Sequence, residues 1–354
     1  MFGLGKSKPI VGLDIGSSAV KAIELKPSGK GFRVSGFATE ALPPDSIVDG
    51  SIVDSAAVTA AIRRVFESGA FKTKDVAASL SGSSVIVKKI SLPVMTETEL
   101  SQSIAWEAEQ YIPFDVQDVN LDYQILNPGT GPDSRGAMDV LLVAAKKDKI
   151  ADYTGVIQQA GRIPIVLDVD AFALQNAYEA NYGGTDSNVV VLLNAGASAI
   201  NINILNSAQS LFTRDISIGG NAYTEKLQKE LDLSAEDANR VKQGDAREGV
   251  TPEEVNAILH AVTEEVLFEI QKTFDFFKAT ASWDRIDRIL ISGGASSVDG
   301  FAKALEDRFG APVEPLDPFK KIAIDEKVAM GDPARVARTA AVAVGLALRK
   351  AGDR

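Results

Sequence analysis

Cysteine is absent from the 354 residues, and histidine occurs once, at His260. The first absence excludes disulfides, thiolate nucleophiles and Cys-ligated zinc. The second excludes His-cluster metal sites, argues against a Ser/His triad, and leaves His260 an ordinary side chain to which no function is assigned. Any chemistry must come from carboxylates, lysines, backbone amides or a bound ion. Positive charge is also in deficit: 37 Lys and Arg against 48 Asp and Glu give a formal charge of −11. Such a balance speaks against sequence-independent binding of nucleic acid and against direct attraction to anionic lipid. No apolar run reaches spanning length, and Met1 to Pro9 lacks the apolar region of a signal peptide. A cytoplasmic location without direct membrane insertion is therefore expected, any membrane association coming through a partner. With 45% apolar residues, a chain of this length can build two sizeable cores.

A repeat is the strongest positive signal. Val11-Gly12-Leu13-Asp14-Ile15-Gly16-Ser17-Ser18-Ala19-Val20 is echoed by Val191-Leu192-Leu193-Asn194-Ala195-Gly196-Ala197-Ser198-Ala199-Ile200. In each copy an apolar strand enters a turn of small residues with one Gly in register and continues into a second strand. Glycine permits close backbone approach, and small neighbours leave amides open to anionic oxygens. Each copy alone also reads as an ordinary β-hairpin turn. The matched duplication favours two loops gripping one nucleotide from opposite sides.

The elements around the repeat are duplicated too. Strands are expected at 10–15, 20–25 and 31–39, a helix opened by Asp54 and stopped by Gly69, and a strand at 76–80. The second half repeats this order with strands at 189–193, 199–205 and 209–216, then helices, then a strand at 288–291. The reading is α/β with two related lobes. Between them lies unduplicated material: a strand at 85–92, a helix at 96–111 with Thr96 and Glu99 as a capping box, strands at 121–126 and 138–144, a Gly/Pro/Asp-rich hairpin tip at 127–136 and a helix at 149–161. The expected organisation is a first lobe of 1–82 and 164–184, an inserted subdomain of 83–163, and a second lobe of 185–354. Residues 334–349 read as a helix that either closes the second lobe or returns to the first. The insert is either a structural embellishment or the family's docking module.

Further stretches join the duplicated loops. Ile218-Gly219-Gly220-Asn221 precedes a helix, whose positive terminus suits anions. Leu290-Ile291-Ser292-Gly293-Gly294-Ala295 is a strand running into a glycine pair, against which a flat ring could lie, before a helix from Val298. Lys21 reads as a phosphate ligand or a solvated strand lysine. Of Asp168 and Asp170, one is expected to cap the following helix and the other to face the ligand.

The Leu13-Asp14-Ile15-Gly16-Ser17-Ser18 loop with Lys21, the Asn194 to Ser198 loop and the Gly293-Gly294 turn resemble the phosphate and adenosine motifs of the actin, Hsp70 and sugar-kinase superfamily. Glu107-Ala108-Glu109-Gln110-Tyr111-Ile112-Pro113-Phe114, the strand around Asp122-Tyr123 and Asp168-Val169-Asp170-Ala171-Phe172-Ala173-Leu174 narrow the likeness. With these, the chain resembles, from Lys8 to Ala347, the PilM family of FtsA-like cytoplasmic proteins of type IV pilus assembly. The resemblance implies an actin-like ATPase fold: two duplicated RNase H-like lobes with an inserted α/β, SHS2-like subdomain in the first.

It further implies ATP between the lobes, with Gly16, Ser17, Ser18 and Lys21 on the phosphates from one side and Gly196, Ala197 and Ser198 from the other. Gly219 and Gly220 would close the phosphate side, and Gly293, Gly294 and Ala295 the adenosine side. Lys242 fits the family's Ala-Glu-x-x-Lys pattern, while Asn239 replaces its acid. Asp14 matches the acid that holds Mg²⁺ through water; Asp168 and Asn194 are the remaining catalytic candidates. Asn194 stands where active members carry an acid, and an amide neither acts as a base nor neutralises a cation. Tight binding with weak or absent hydrolysis, occupancy acting as a switch, is the resulting expectation.

The resemblance also implies that the insert and first lobe take the short cytoplasmic tail of the inner-membrane protein PilN as an extended peptide. It would place the chain at the inner membrane through that partner and link the platform to the pilus motor ATPases. The groove is expected around the strand at 85–92 and the helix at 105–112, with Val85, Val87, Trp106 and Tyr111 as wall residues; for both aromatics the competing reading is subdomain core. A homo-oligomer or ring is compatible with these features. Two other classes stay open: an FtsA-like cytoskeletal or division protein, and a small-molecule kinase of the same superfamily.

Overall fold

The computed structural model describes residues 9–29, 31–69, 71–130, 136–183, 188–207, 209–280 and 285–353. The first eight residues, part of the expected hairpin tip (131–135) and the expected lobe boundary at 184–185 lie outside them.

Strands β1 (Val11–Ile15), β2 (Ala19–Ser28) and β3 (Gly31–Ala41) form an antiparallel meander. A short hairpin of β4 (Ile47–Val48) and β5 (Ser51–Ile52), unforeseen from the sequence, turns on Asp49 and Gly50. Both have positive φ, 48° and 73°, the backbone twist that an Asp-Gly hairpin turn supplies. Helix α1 (Ser55–Ser68) starts where the Asp54 carboxylate accepts the Ala57 N–H at 2.9 Å and ends at Gly69. Strand β6 (Asp75–Leu80) then pairs parallel with β1.

The insert follows as β7 (Val85–Pro93), α2 (Glu97–Ala108), β8 (Val119–Asn127) and β9 (Ala137–Lys146). Its sheet has the order β7-β9-β8, so β7 is an edge strand. The capping box at Thr96 and Glu99 is formed in both directions. Leu100, Ile104 and Ala108 on α2 cover Ile90, Leu92, Met138, Val140 and Leu142 on one face of the sheet. Helix α3 (Lys147–Gln159) falls within 83–163, yet its Tyr153, Val156 and Ile157 pack in the first lobe's core beside Val58, Ile62 and Val65. Strand β10 (Ile163–Val169) and helix α4 (Asp170–Tyr182) complete this half.

The second lobe consists of β11 (Val189–Ala195), β12 (Ile200–Asn206), β13 (Gln209–Ile216), α5 (Gly220–Leu231), α6 (Ala235–Lys242), α7 (Pro252–Thr280), β14 (Arg288–Ser292), α8 (Phe301–Phe309) and β15 (Val313–Pro315). Instead of a helix from Val298, a 3₁₀ turn at Gly294–Ser297 precedes α8. Helix α7 buries Val255, Ile258, Leu259, Val262, Val266, Ile270, Phe274 and Phe277 at helical spacing beneath the sheet. Each such side chain contributes roughly 1.5–3 kcal/mol by leaving water.

Sheet order makes the duplication explicit. The first lobe's sheet runs β3-β2-β1-β6-β10 and the second's β13-β12-β11-β14-β15, the same antiparallel meander flanked by the same two parallel strands. After the second lobe the chain returns: β16 (Ala323–Ile324) extends the first sheet beside β3, and α9 (Pro333–Thr339) leads into α10 (Ala341–Ala347). Rather than closing the second lobe, α10 lies on β1, β2 and α4. Close approach explains two glycines. A Cβ at Gly12 would strike the α10 backbone at Ala343 and Ala347, and one at Gly345 would strike the Ala173 carbonyl on α4.

Gly345→Ala must therefore push α10 off α4, and an expected loss of about 1–3 kcal/mol follows from overpacking. Urea unfolding checks this; an unchanged midpoint contradicts the packing described.

Candidate functional site

Both glycine loops close in the same way. The Gly16 N–H donates to the Ala19 carbonyl at 3.1 Å, and the Gly196 N–H to the Ala199 carbonyl at 2.9 Å. They are hairpin turns by their hydrogen bonding, and they also face one another: the Ser198 hydroxyl donates to the Ser17 hydroxyl at 2.9 Å across the lobes. Both line one cleft of about 1310 Å³ between the lobes, together with Asp14, Ser18, Lys21, Asn194, Gly220, Asn239, Lys242, Gly293, Gly294 and Ala295.

The duplicated strand pairs carry different polar partners at matching positions. On β1 and β2, Asp14 sits opposite Lys21 and pairs with its ammonium at 2.9 Å, both side chains mostly enclosed. Lys21 is thus an ion-paired cleft residue, not a solvated one. On β11 and β12 the equivalent pair is Asn194 and Asn201: the Asn194 amide donates to Asn201 Oδ1 at 3.0 Å and accepts from the Ser292 hydroxyl at 3.2 Å. A charged rung in one lobe is a neutral rung in the other.

Several expected residues take other roles. Gly219 does not line the cleft; a Cβ there would lie 2.6 Å from the Ala197 carbonyl oxygen, so this glycine lets α5 approach the second loop. The N–H groups of Gly220 and Asn221 donate to the Gly196 and Ala197 carbonyls at 2.9 and 2.8 Å. The start of α5 therefore spends these amides on bracing the loop instead of offering them to an anion. Neither Asp168 nor Asp170 caps α4. Asp168 is buried away from the cleft against Arg349, at 3.3 Å, and burial pushes its carboxyl up despite the guanidinium.

Asp170 is the carboxylate that reaches the cleft, taking a 2.5 Å hydrogen bond from the Ser79 hydroxyl. Burial first, and the charge of Asp14 second, push its pKa up to about 6, against the hydrogen bonds from Ser79 and Ser81. Asp215 on β13 also lines the cleft, as do Tyr153 and the Asp49-Gly50 turn. The sequence signalled none of these three, because the fold, not local spacing, brings them in.

At the other end, the Lys242 ammonium donates to the Gly220 carbonyl at 3.0 Å and to Thr224 Oγ1 at 2.7 Å, while Thr224 donates to Asn239 Oδ1 at 3.1 Å. Burial without a neighbouring carboxylate pushes Lys242 down to about 8. Gly293 has φ 89°, its N–H donates to the Arg338 carbonyl at 2.6 Å, and a Cβ would run into the Ala195 backbone. Ala295 turns its methyl into the second lobe's core.

The four groove candidates do not share a wall. Tyr111 packs on the α2 side of the insert sheet with the Lys88 ammonium 5.3 Å from its ring, and Trp106 stands 64% exposed on α2. Val85 and Val87, on the opposite face by strand alternation, both line the cleft, Val85 also packing against the first lobe's core. Among the described residues no three carboxylates or imidazoles come together as a metal cage, and no helix is long and apolar enough to cross a membrane.

The family model described as type IV pilus assembly protein PilM matches residues 12–351. A solved PilM-PilN type IV pilus biogenesis complex is 28% identical over 97% of this chain and 99% of that one, with a TM-score of 0.86. The fold, an actin-like ATPase fold, is shared more distantly with two others. The ethanolamine utilization protein EutJ of Carboxydothermus hydrogenoformans is 14% identical, over 97% of this chain and 90% of that one, at TM-score 0.57. MreB 5 of Spiroplasma citri, solved bound to AMPPNP, is 13% identical, over 96% and 95%, at TM-score 0.51.

Asp170 gives a signed expectation. Its carboxyl titrates near 6 in the folded chain, above the usual unfolded value near 4, so its ionised form costs stability above that window and the cost disappears as pH falls through it. Asp170→Asn should therefore unfold later in urea near neutral pH, by about 1–3 kcal/mol, and lose this advantage in acid. A variant no more stable than the parent near neutrality contradicts the assignment.

Proposed function

This chain belongs to the type IV pilus assembly protein PilM family, and from that premise we propose that it is an ATP-binding scaffold of pilus assembly whose inserted subdomain docks the cytoplasmic tail of PilN. The observation that carries the nucleotide part is the 2.9 Å approach of Ser198 to Ser17, which puts both glycine loops on one interlobe cleft. The docking part rests on the extensive likeness to the solved PilM-PilN complex. In this reading PilN brings the protein to the inner-membrane platform, and the protein connects that platform to the motor ATPases.

The cleft residues fit ATP with Mg²⁺. A half-buried lysine without a carboxylate, Lys242, is suited to an oxygen-rich ligand, and the bare backbone at Gly293 to a flat ring. Mg²⁺ keeps most of its water and uses one or two carboxylates with phosphate oxygens, and Asp14 and Asp170 both line the cleft. Asp14 would hold the hydrated ion, with Asp170 beside it. When bound, Mg-ATP would supply a polyphosphate within reach of both loops, which already meet at Ser17 and Ser198. Gly16, Ser17 and Ser18 would hold it from the first lobe, Gly196, Ala197 and Ser198 from the second, and Lys21, paired with Asp14 at the same cleft, would offer its ammonium to phosphate.

Turnover is expected to be slow. Asn194 is engaged with both Asn201 and Ser292 and takes no proton. Asp170, on the same cleft and hydrogen-bonded by Ser79, is the carboxylate best placed to take a proton in any residual hydrolysis. Occupancy then acts as a switch between lobes. A small-molecule kinase would need a catalytic acid where Asn194 stands, which weighs against that reading.

Two measurements test this. Lys242→Ala should weaken Mg-ATP binding about 10- to 100-fold, the worth of a hydrogen bond to a charged group; unchanged affinity contradicts its place in the site. Hydrolysis by the pure protein should fall far below the ~10 s⁻¹ typical of enzymes, and a labelled PilN tail peptide should bind with an affinity that differs between the ATP, ADP and empty states. Brisk turnover abolished by Asp14→Ala, or no peptide binding in any state, overturns the scaffold reading.

A further inference from the structure

The chain passes from the first lobe's sheet into the insert through four residues between β6 and β7, and one peptide group there is held from both ends. The Ser81 carbonyl accepts from the ammonium of Lys149, a buried residue on α3. The N–H of the same peptide, on Gly82, donates to Asp215 Oδ2 at 2.5 Å. Asp215 belongs to β13, the edge strand of the second lobe. A cation on the carbonyl side and an anion on the amide side align with the peptide dipole, which fixes the plane of this peptide. Gly82 has φ 84°, a conformation only glycine adopts cheaply, and Gly50 packs so closely beneath that a Cβ there would lie 2.7 Å from Lys149 Nζ.

The other oxygen of Asp215 leads back to the cleft. Asp215 Oδ1 accepts from the Asn201 amide at 2.8 Å, Asn201 Oδ1 accepts from Asn194 at 3.0 Å, and Asn194 Oδ1 accepts from Ser292 at 3.2 Å. The chain thus runs from the strand entering the glycine turn at 293, through the second glycine loop, to the root of the insert. A carboxylate only accepts, so Asp215 sets the direction of each amide in the chain. These links are short and mostly enclosed, and each couples one strand of the second sheet to the next.

We propose that the Ser81–Gly82 peptide is the hinge through which the cleft controls the insert, and that Asp215 is the positioning residue that transmits it. A ligand that moves the second glycine loop moves Asn194, then Asn201, then β13 at Asp215, and with it the amide from which β7 starts. Because β7 is an edge strand, its alignment decides what the insert presents. This inference rests on the nucleotide reading above, but not on the identity of the docked partner.

Hydrogen exchange of the full chain, with and without saturating Mg-ATP, reads both levels separately. In the parent, nucleotide should slow exchange at the loops 16–18 and 196–198 and also, several-fold, at residues 82–89. In Asp215→Ala the loops should still respond while 82–89 no longer do. Asn201→Ala, which breaks the chain one link earlier, serves the same purpose if Asp215→Ala does not fold. A response at 82–89 that survives either alanine change overturns the hinge, as does a parent whose loops respond while 82–89 does not. Loops that never respond overturn the nucleotide reading, and the hinge with it.

Discussion

Two serine hydroxyls 2.9 Å apart, one from each lobe, fix the geometry on which the rest of this molecule depends. Neither loop is unusual alone, since each is a hairpin closed by one backbone hydrogen bond. Their meeting requires two sheets of the same strand order, set so that the first turn of each meander points to one cleft. The packing that holds them there is close: β1 accepts α10 only because position 12 is glycine, and α10 accepts α4 only because position 345 is. Helix α10 therefore packs on β1, and elements far apart in the sequence share one core.

The duplicated halves have diverged in charge. The first lobe presents an ion pair, Asp14 with Lys21, where the second presents two amides, Asn194 with Asn201. An ion pair can open to meet an ionic ligand, whereas an amide chain with fixed donors and acceptors is better suited to transmit position than to take part in chemistry. Asp170 and Asp215 add negative charge to the same cleft. Burial first, and the neighbouring charge of Asp14 second, raise the pKa of Asp170.

Much of this was legible in the sequence, for physical reasons that differ by element. Capped helices such as α1 and α2, and alternating strands such as β7, carry their signals locally, and the repeat around Gly16 and Gly196 carried the symmetry of the fold. What stayed hidden depends on long-range placement. The Asp49-Gly50 hairpin has strands of two residues, too short for a periodic pattern. Asp215 looks like any polar residue on a strand until β13 is seen beside Gly82. The choice between Asp168 and Asp170 was open because the strand-to-helix junction falls between them: Asp168, still on β10, turns to Arg349, and Asp170, opening α4, turns to the cleft. Val85 and Tyr111 looked like one groove because strand and helix are neighbours, yet the sheet lies between them.

A structure of the protein with Mg²⁺ and a non-hydrolysable ATP analogue tests the central claim most directly. The account predicts one nucleotide whose phosphates touch both the Gly16 to Ser18 loop and the Gly196 to Ser198 loop. An empty cleft at saturating analogue, or phosphates held by one loop with the other turned away, would contradict it.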